Sequence, residues 1–376
     1  MQAPASRDRS LLRRLAESAA ALALALLLAE LGARACLRLP ARVQPSSLGL
    51  KELVADELAP GMGECLVRGG QAAAEYPTAD GGLREVRYRT SADGFRDRVY
   101  PRERQPGNLR LALLGDSVTF GFGINEEDTL PRQLERELNA RFDGRIEVMN
   151  CGIYSFNATQ QAAHLRYRVA DFHPDLVLFV TTVTDASGGD IVGDERKHDT
   201  WEVRWTKRLG LTSGRFSPAG TSVPPAQRRM LALRQRSALV DYLANRTFTW
   251  MHSRVMSAGY LRDWLPGSPG RAAVAAAYAD ARALGAERGF EVQVALYPVL
   301  DRLDDYALGP VTAAVREICA QQGLAFHDLL PALAGQDARA LQAHAHDKHP
   351  NGRANRLVAV HLARELGAVV ARGLGE

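Results

Sequence analysis

The chain has 376 residues, of which 46% are hydrophobic and 24% are charged, as in a globular protein that buries a sizeable core. The formal net charge is only +4 and the arginines are spread along the chain, so we predict no nucleic-acid partner. The four cysteines form no Cys-x-x-Cys motif, which argues against a zinc ribbon and a disulfide-rich scaffold. One disulfide is compatible with this count, but the sequence selects no pair.

The N-terminus carries an apolar segment with charged flanks. Four arginines between residues 7 and 14 precede a run rich in Ala and Leu from Ser18 to Ala29. This run is shorter than the roughly 20 residues that a spanning helix needs. We therefore predict that residues 1–40 are a signal peptide or an uncleaved signal anchor, which would place the main domain in the periplasm or secrete it. The alternative is an amphipathic or packed helix on a cytoplasmic protein.

The next two segments have different patterns. Residues 41–83 mix Pro, Gly, Ala and charge without periodicity, which indicates a linker. Between Arg84 and Tyr100, alternating residues are followed by Asp93-Gly94, which predicts a short hairpin with its turn at this dipeptide. The main domain is therefore predicted to cover residues 84–376.

Over the rest of the chain, short apolar runs alternate with segments of helical spacing. Strands are predicted at residues 109–114, 146–149, 176–183, 292–297 and 324–327, and helices at 131–142, 159–169, 311–319 and 354–370. Continuous apolar runs are typical of strands covered on both faces. We therefore predict an α/β fold, a three-layer, doubly wound, flavodoxin-like sandwich around a parallel sheet of about five strands.

A long stretch, from about residue 186 to 288, is not needed by this sheet pattern. It contains all four tryptophans, Trp201, Trp205, Trp250 and Trp264. Ligands bind at the carboxyl ends of the strands in such folds, so an insertion after a strand is predicted to form a lid or a substrate platform. Alternatively, the indole rings fix the insertion to the body of the domain or lie on lipid.

A candidate nucleophile follows the first predicted strand of the sheet. The triplet Gly115-Asp116-Ser117 stands where that strand ends and a helix begins. A hydroxyl nucleophile must be exposed at this edge, while its backbone N–H faces a developing oxyanion. The same triplet is also compatible with a simple helix cap by Asp116 or Ser117.

A candidate base lies just before the last helix, in the segment from Asp347 to Asn351. His349 can accept the proton of Ser117, and Asp347 can orient the imidazole, because both follow the last strand and so reach the same sheet edge. The spacing of His344, His346 and His349 with Asp347 also allows a metal cluster, although no matching ligands follow the other strands. A Gly-x-Ser-x-Gly elbow is lacking around Ser117, which disfavours an α/β-hydrolase.

Together, these segments resemble the SGNH/GDSL hydrolase family from Tyr88 to about Val370. The first family block resembles residues 115–121, the second resembles Val148 to Gly152, and the last resembles residues 347–351. The resemblance implies a serine esterase without metal or organic cofactor, with Ser117 as nucleophile, His349 as base and Asp347 as its partner. It also implies an oxyanion hole formed by Ser117, Gly152 and the residue in the third block.

Two positions depart from the family pattern. Thr184 stands where the family has an asparagine that donates to the oxyanion, and the last block reads Asp-x-His where many members have Asp-x-x-His. The shorter spacing resembles relatives that include polysaccharide O-acetyltransferases.

The resemblance and the N-terminus favour an O-acyl or acetyl ester of a glycan or another envelope compound as substrate. The alternatives are acyl transfer to a sugar hydroxyl and a catalytically impaired scaffold that only binds.

Overall fold

The structure is a computed structural model that describes residues 5–36, 50, 53–57, 59–77, 83–187, 233, 236, 237, 239, 240, 243, 259–344 and 347–376. The chain divides into two units. The first comprises residues 1–42 and 194–255, and the second comprises residues 43–193 and 256–376. The parallel sheet and the candidate site lie in the second unit.

The described strands and helices alternate over most of the second unit. The strands are β1 (Val54–Glu57), β2 (Gly63–Leu66), β3 (Gln71–Pro77), β4 (Leu83–Arg89), β5 (Leu109–Gly115), β6 (Ile146–Gly152), β7 (Leu176–Thr181), β8 (Glu291–Leu296), β9 (Ala325–Asp328), β10 (Gln342–His344) and β11 (Asp347–Pro350). The helices are α1 (Ala5–Cys36) in the first unit, then α2 (Ser117–Phe120), α3 (Leu130–Asn139), α4 (Ala158–His164), α5 (Pro269–Arg288), α6 (Gly309–Gln322), α7 (Gly352–Glu365) and α8 (Gly367–Leu374).

Five parallel strands form the central sheet in the order β6-β5-β7-β8-β9. This is the flavodoxin-like order, in which the chain first winds to one side of β5 and then to the other. One buried apolar cluster packs α4, α5 and α6 on one face of the sheet, and a second packs α3, α7 and α8 on the opposite face. The predicted three-layer, doubly wound fold is therefore confirmed.

The predicted insertion extended too far toward the C-terminus. Residues 269–288 form α5, which belongs to the sandwich, because parallel neighbours such as β7 and β8 require a crossover helix between them. Its buried face includes Val274, Tyr278 and Leu284. The helix is so rich in alanine that its apolar and polar faces contrast weakly in the sequence.

Trp264 also belongs to the body of the second unit. Its side chain is buried, and its Nε1–H donates to the Val183 carbonyl at 2.9 Å. Of the two roles considered for the tryptophans, Trp264 therefore fixes its segment to the core. Trp201, Trp205 and Trp250 lie outside the described residues.

The linker prediction for residues 41–83 is wrong for the described part of this segment. Strands β1 and β2 pair antiparallel, and β3 pairs antiparallel with β4 over the full length of both strands. A buried apolar cluster joins these hairpins to Phe120 beside the candidate nucleophile. The first hairpin has strands of only four residues and β3 is rich in alanine, so neither shows a clear two-residue period.

The predicted hairpin around Asp93-Gly94 is also wrong. Strand β4 pairs with β3, which precedes it, and the chain after Arg89 forms a turn closed by hydrogen bonds to Ser91. Gly94 lies there at φ +81°, where a Cβ atom would contact the Leu66 carbonyl. The dipeptide thus makes a tight turn, as its residues favour, but no strand follows to complete a hairpin.

Arg96 connects this turn to the residues after Ser117. Its buried guanidinium donates to the carbonyls of Phe120 at 2.8 Å, Gly121 at 2.5 Å and Ile124 at 2.6 Å. It also lies over the rings of Tyr88 and Phe120. Burial lowers the pKa of Arg96 to about 10, so it stays charged at neutral pH. A cation therefore satisfies carbonyls that the short α2 leaves open at its end.

In the first unit, α1 is a continuous helix of 32 residues. Glu30 accepts hydrogen bonds from the Ser237 hydroxyl at 2.7 Å and the Leu239 N–H at 3.0 Å, and it pairs with Arg34 at 2.7 Å. None of the helices in the described ranges is both long enough and apolar enough to cross a membrane. The assignment of residues 1–40 as a signal peptide or anchor stays a prediction.

Candidate active site

Ser117 lies at the carboxyl end of β5, where the chain turns sharply into α2. Every residue of β5 is buried, and a Cβ atom on Gly115 would overlap with the side chain of Thr119. Asp116 caps α2 by accepting the Val118 N–H at 2.8 Å, so the capping alternative holds for Asp116. Ser117 is the first residue of the helix and is half-buried, which leaves its hydroxyl accessible at the sheet edge.

The structure brings His349 to Ser117. His349 Nε2 and Ser117 Oγ are 2.7 Å apart, although the two residues are separated by 232 positions in the sequence. His349 belongs to β11, which forms a two-stranded sheet with β10 immediately before α7. The sequence placed this residue on a loop, whereas it lies on a short strand. The distance is that of a strong hydrogen bond and permits proton transfer.

Asp347 begins β11, and its backbone pairs with that of His344. Its side chain lies outside the described part of the structure, so its assignment as the partner of His349 stays a prediction. The metal alternative involved His346, which also lies outside the described residues. His344 is buried and stacks against the Tyr76 ring at 5.0 Å, so it belongs to the wall of the site.

Behind Ser117, Asp116 joins a buried network of hydroxyl groups. It accepts hydrogen bonds from the hydroxyls of Thr182 at 2.8 Å and Thr184 at 2.9 Å. A hydroxyl group donates only one hydrogen, and in this arrangement Thr184 directs it to Asp116 instead of toward a substrate oxygen. Thr184 is half-buried in a 3-10 helix that follows β7. The contribution of Thr184 to the oxyanion hole stays a prediction. It would require that the hydrogen bond from Thr184 to Asp116 break.

A second buried carboxyl, Asp185, lies beside this network. Its side chain accepts from the Gln161 amide at 3.2 Å, and its other oxygen lies 3.3 Å from the Thr182 hydroxyl. Burial raises the pKa of Asp185 well above its usual value, and the neighbouring charge of Asp116 raises it further. The structure therefore favours the protonated form of Asp185 beside Asp116.

Gly152, the last residue of β6, and the residue after it both donate hydrogen bonds within the protein. Gly152 already donates its N–H to the Asn150 side chain at 3.1 Å, and a Cβ atom on it would overlap with the backbone of Phe120. Ile153 donates to the Gly115 carbonyl at 3.1 Å, which holds the loop after β6 beside the turn at Ser117. Close packing thus explains why a glycine is needed at position 152. The oxyanion role of Gly152 stays a prediction.

Ser155, which the sequence did not single out, has an unusual backbone conformation. It is exposed and lies at φ +68°, in the left-handed region that residues other than glycine rarely adopt. Within the described residues, its N–H makes no hydrogen bond. No sequence signal marks this position, because serine is not a residue that predicts a left-handed backbone.

Replacing Ser155 with glycine tests whether its backbone or its hydroxyl matters. Ser155→Gly should raise the free energy of unfolding by about 0.5–1 kcal/mol, because glycine adopts a positive φ without the steric cost. The turnover of a short aryl ester should be unchanged, since the N–H is retained. Urea unfolding and steady-state kinetics measure the two effects. A marked loss of turnover would show that the hydroxyl is needed instead.

The buried Asp185 makes stability depend on pH. Its pKa in the folded state lies above the ordinary aspartate value of 3.8, so the folded state binds more protons and stability falls as pH rises from about 4 through the folded-state pKa. Asp185→Asn removes this titration, so the stability of the variant relative to wild type should increase over that pH range. Urea unfolding between pH 4 and 8 measures it, with exposed Asp280→Asn as control. A difference that is the same at every pH would contradict the argument.

Comparison with known proteins identifies the family of this chain. The profile of the GDSL-like lipase/acylhydrolase family matches residues 113–357, which is more than half of the chain and includes both Ser117 and His349. A search of curated proteins found no match.

Solved structures of low sequence identity are also similar. The crystal structure of TesA is 13% identical, covers 70% of this chain and 99% of its own, and gives a TM-score of 0.39. An acetyl xylan esterase, AlAXEase, is 13% identical over 69% of this chain and 100% of its own, with a TM-score of 0.37. A GDSL-like lipase from Bacteroides thetaiotaomicron is 10% identical over 72% of this chain and 93% of its own, with a TM-score of 0.36. On the family profile, the chain belongs to the GDSL-like lipase/acylhydrolase family and is an ester hydrolase of this type.

Proposed function

We propose that this hydrolase removes an O-acyl group, such as acetyl, from a glycan or another envelope compound, with Ser117 as nucleophile. The observation that carries the assignment of Ser117 is its 2.7 Å contact with His349 Nε2. In this mechanism Ser117 Oγ attacks the ester carbonyl while His349 takes the hydroxyl proton. His349 then gives this proton to the oxygen of the leaving alcohol. Water attacks the acyl-enzyme, again with His349 as base, and releases the acid.

The negative charge on the carbonyl oxygen needs donors near Ser117. The N–H of Ser117 is available because the first residues of a helix lack intrahelical acceptors. Within the described part of the chain, the N–H of Ser155 makes no hydrogen bond, whereas Gly152 and Thr184 become available only if their present hydrogen bonds break. Loss of one such donor costs about 100-fold or more in rate. We therefore assign the two backbone N–H groups of Ser117 and Ser155 as the first candidates.

The dyad predicts a non-additive effect of mutation. Ser117→Ala and His349→Ala should each reduce turnover of a short aryl ester by about 1000-fold or more, and the double variant should be little worse than either, because the two residues act as a unit. His173→Ala, which removes an exposed histidine, is the matched control. Turnover that survives in either single variant would refute the dyad.

Two further experiments separate the alternatives for the reaction. A fluorophosphonate probe should label Ser117 in the wild type and not in His349→Ala, whereas a scaffold that only binds would not be labelled in either protein. Adding a sugar alcohol during turnover distinguishes hydrolysis from transfer. Release of free acid at an unchanged rate supports a hydrolase, and formation of the sugar ester at the expense of acid supports an acyltransferase.

We further propose that the N-terminal segment of residues 1–40 is a signal anchor or a signal peptide that directs the hydrolase domain to the periplasm. The supporting observation is an exposed apolar surface on α1, where Leu22, Leu24 and Leu28 are 62%, 56% and 59% exposed. Such a surface is costly in water and is stabilised by lipid. The arginines that precede it favour retention of the N-terminus inside the cell.

A reporter fused after Arg42 tests this location. A reporter that works only outside the cytoplasm should be active in this fusion, and one that works only inside should not be, because the positive flank keeps the N-terminus inside. Replacing Arg7, Arg9, Arg13 and Arg14 with glutamate should reduce this activity markedly. A fusion that is active only with a cytoplasmic reporter would refute both the location and the argument for an envelope substrate.

A further inference from the structure

Phe122 lies beside the candidate base, and the mechanism above leaves it without a role. Its ring centroid is 4.9 Å from that of His349, with 38° between the two planes. On another side, its ring meets Tyr76 of β3 edge-to-face at 5.8 Å. Tyr76 is buried, whereas Phe122 is half-buried. An aromatic ring that contacts the base and keeps part of its surface accessible is placed to meet a substrate.

The backbone around Phe122 is held at several points. Phe122 donates its N–H to the carbonyl of Ser117 at 2.9 Å, so the ring and the nucleophile belong to one turn. The next residue, Gly123, donates to the Tyr88 hydroxyl at 2.9 Å and accepts from Arg84 at 2.8 Å. Both Tyr88 and Arg84 belong to β4. The hairpin of β3 and β4 thus fixes Phe122 relative to Ser117, which is the support that a preorganised binding surface needs.

The chemistry of the reaction indicates which part of the ester meets this ring. His349 must protonate the oxygen of the leaving alcohol, so that oxygen lies within about 3 Å of Nε2 during the step. The first carbons of the alcohol then lie beside the imidazole, where Phe122 packs. The acyl carbon is instead bonded to Ser117 Oγ, with its oxygen facing the backbone donors. The contact of Phe122 with the imidazole is compatible with a position on the alcohol side of the site.

We propose that Phe122 is a specificity-determining residue that selects esters whose alcohol has a flat, apolar face, such as a sugar ring or an aryl ring. The face of a pyranose carries C–H groups that pack on an aromatic ring, and aryl groups pack on it in offset or edge-to-face geometry. A short alkyl alcohol covers much less of the ring. This inference rests on the proposed function, because it uses His349 as the group that protonates the alcohol.

Phe122→Leu and Phe122→Trp test the inference with three acetate esters, those of 4-nitrophenol, a monosaccharide and ethanol. For Phe122→Leu, kcat/KM should fall about 10-fold for the aryl and sugar esters, which corresponds to about 1.4 kcal/mol, and less than 2-fold for ethyl acetate, because the variant loses one aromatic contact to the alcohol. Phe122→Trp should retain activity on the first two. Each variant is compared with wild type on the same substrate, so differences in intrinsic reactivity cancel.

A second series keeps the alcohol constant and varies the acyl group. The ratio of kcat/KM for 4-nitrophenyl acetate and butyrate should be the same in Phe122→Leu as in wild type, since the acyl group lies on the other side of the site. Tyr167→Ala, which removes an exposed aromatic ring, is the matched control and should change neither series. An altered acyl ratio, or an equal loss on all three acetates, would overturn the inference.

Two further measurements separate this inference from the proposed function. Labelling of Ser117 by a small fluorophosphonate should proceed at a similar rate in Phe122→Leu and wild type, because its leaving group is fluoride. If wild-type protein is neither labelled nor active on any ester, the proposed function fails. If labelling is normal in both proteins but the alcohol preference does not change, only the role of Phe122 fails. The melting temperature of each variant shows whether a loss of activity arises from unfolding. If Phe122→Leu is unfolded, the activity of Phe122→Trp on the aryl and sugar esters tests the inference.

Discussion

The candidate site depends on how tightly the chain turns at the end of β5. Gly115 has no space for a side chain, since a Cβ atom there would overlap with Thr119 and lie 3.0 Å from the Val180 carbonyl. Gly152 is paired with Gly115 in the register of β5 and β6, and a Cβ atom on Gly152 would overlap with the backbone of α2. These two glycines let α2 start directly against the sheet, which places Ser117 at the edge where the His349 strand arrives.

Two charged side chains bind polar groups of this turn from different sides. On the inner side, Asp116 binds the start of α2 and the hydroxyls of Thr182 and Thr184. On the outer side, Arg96 binds the carbonyls at the other end of the helix. Burying a carboxylate or a guanidinium is tolerated only with such partners. A helix of four residues thus stays ordered although it is too short to be stable by itself.

The hairpins before the sheet contribute to the same site. Strand β4 supplies Tyr88 and Arg84, which bind Gly123, and β3 supplies Tyr76, which packs on Phe122 and His344. The segment that looks like a linker in the sequence is therefore part of the wall beside His349. Its contribution explains why the second unit includes these residues together with the parallel sheet.

The sequence by itself determined the parallel sheet and its layers, because strands such as β5 and β7 are continuous apolar runs that only a doubly covered sheet buries. It also determined Ser117 and His349 as candidates, since both follow strands and so reach one edge. Only the tertiary structure decided what surrounds them. The hydrogen bond between Thr184 and Asp116 and the contact of Phe122 with His349 both depend on residues distant in sequence. Local patterns carry no information on such contacts, because side-chain hydrogen bonds and ring packing are set by which elements meet in space.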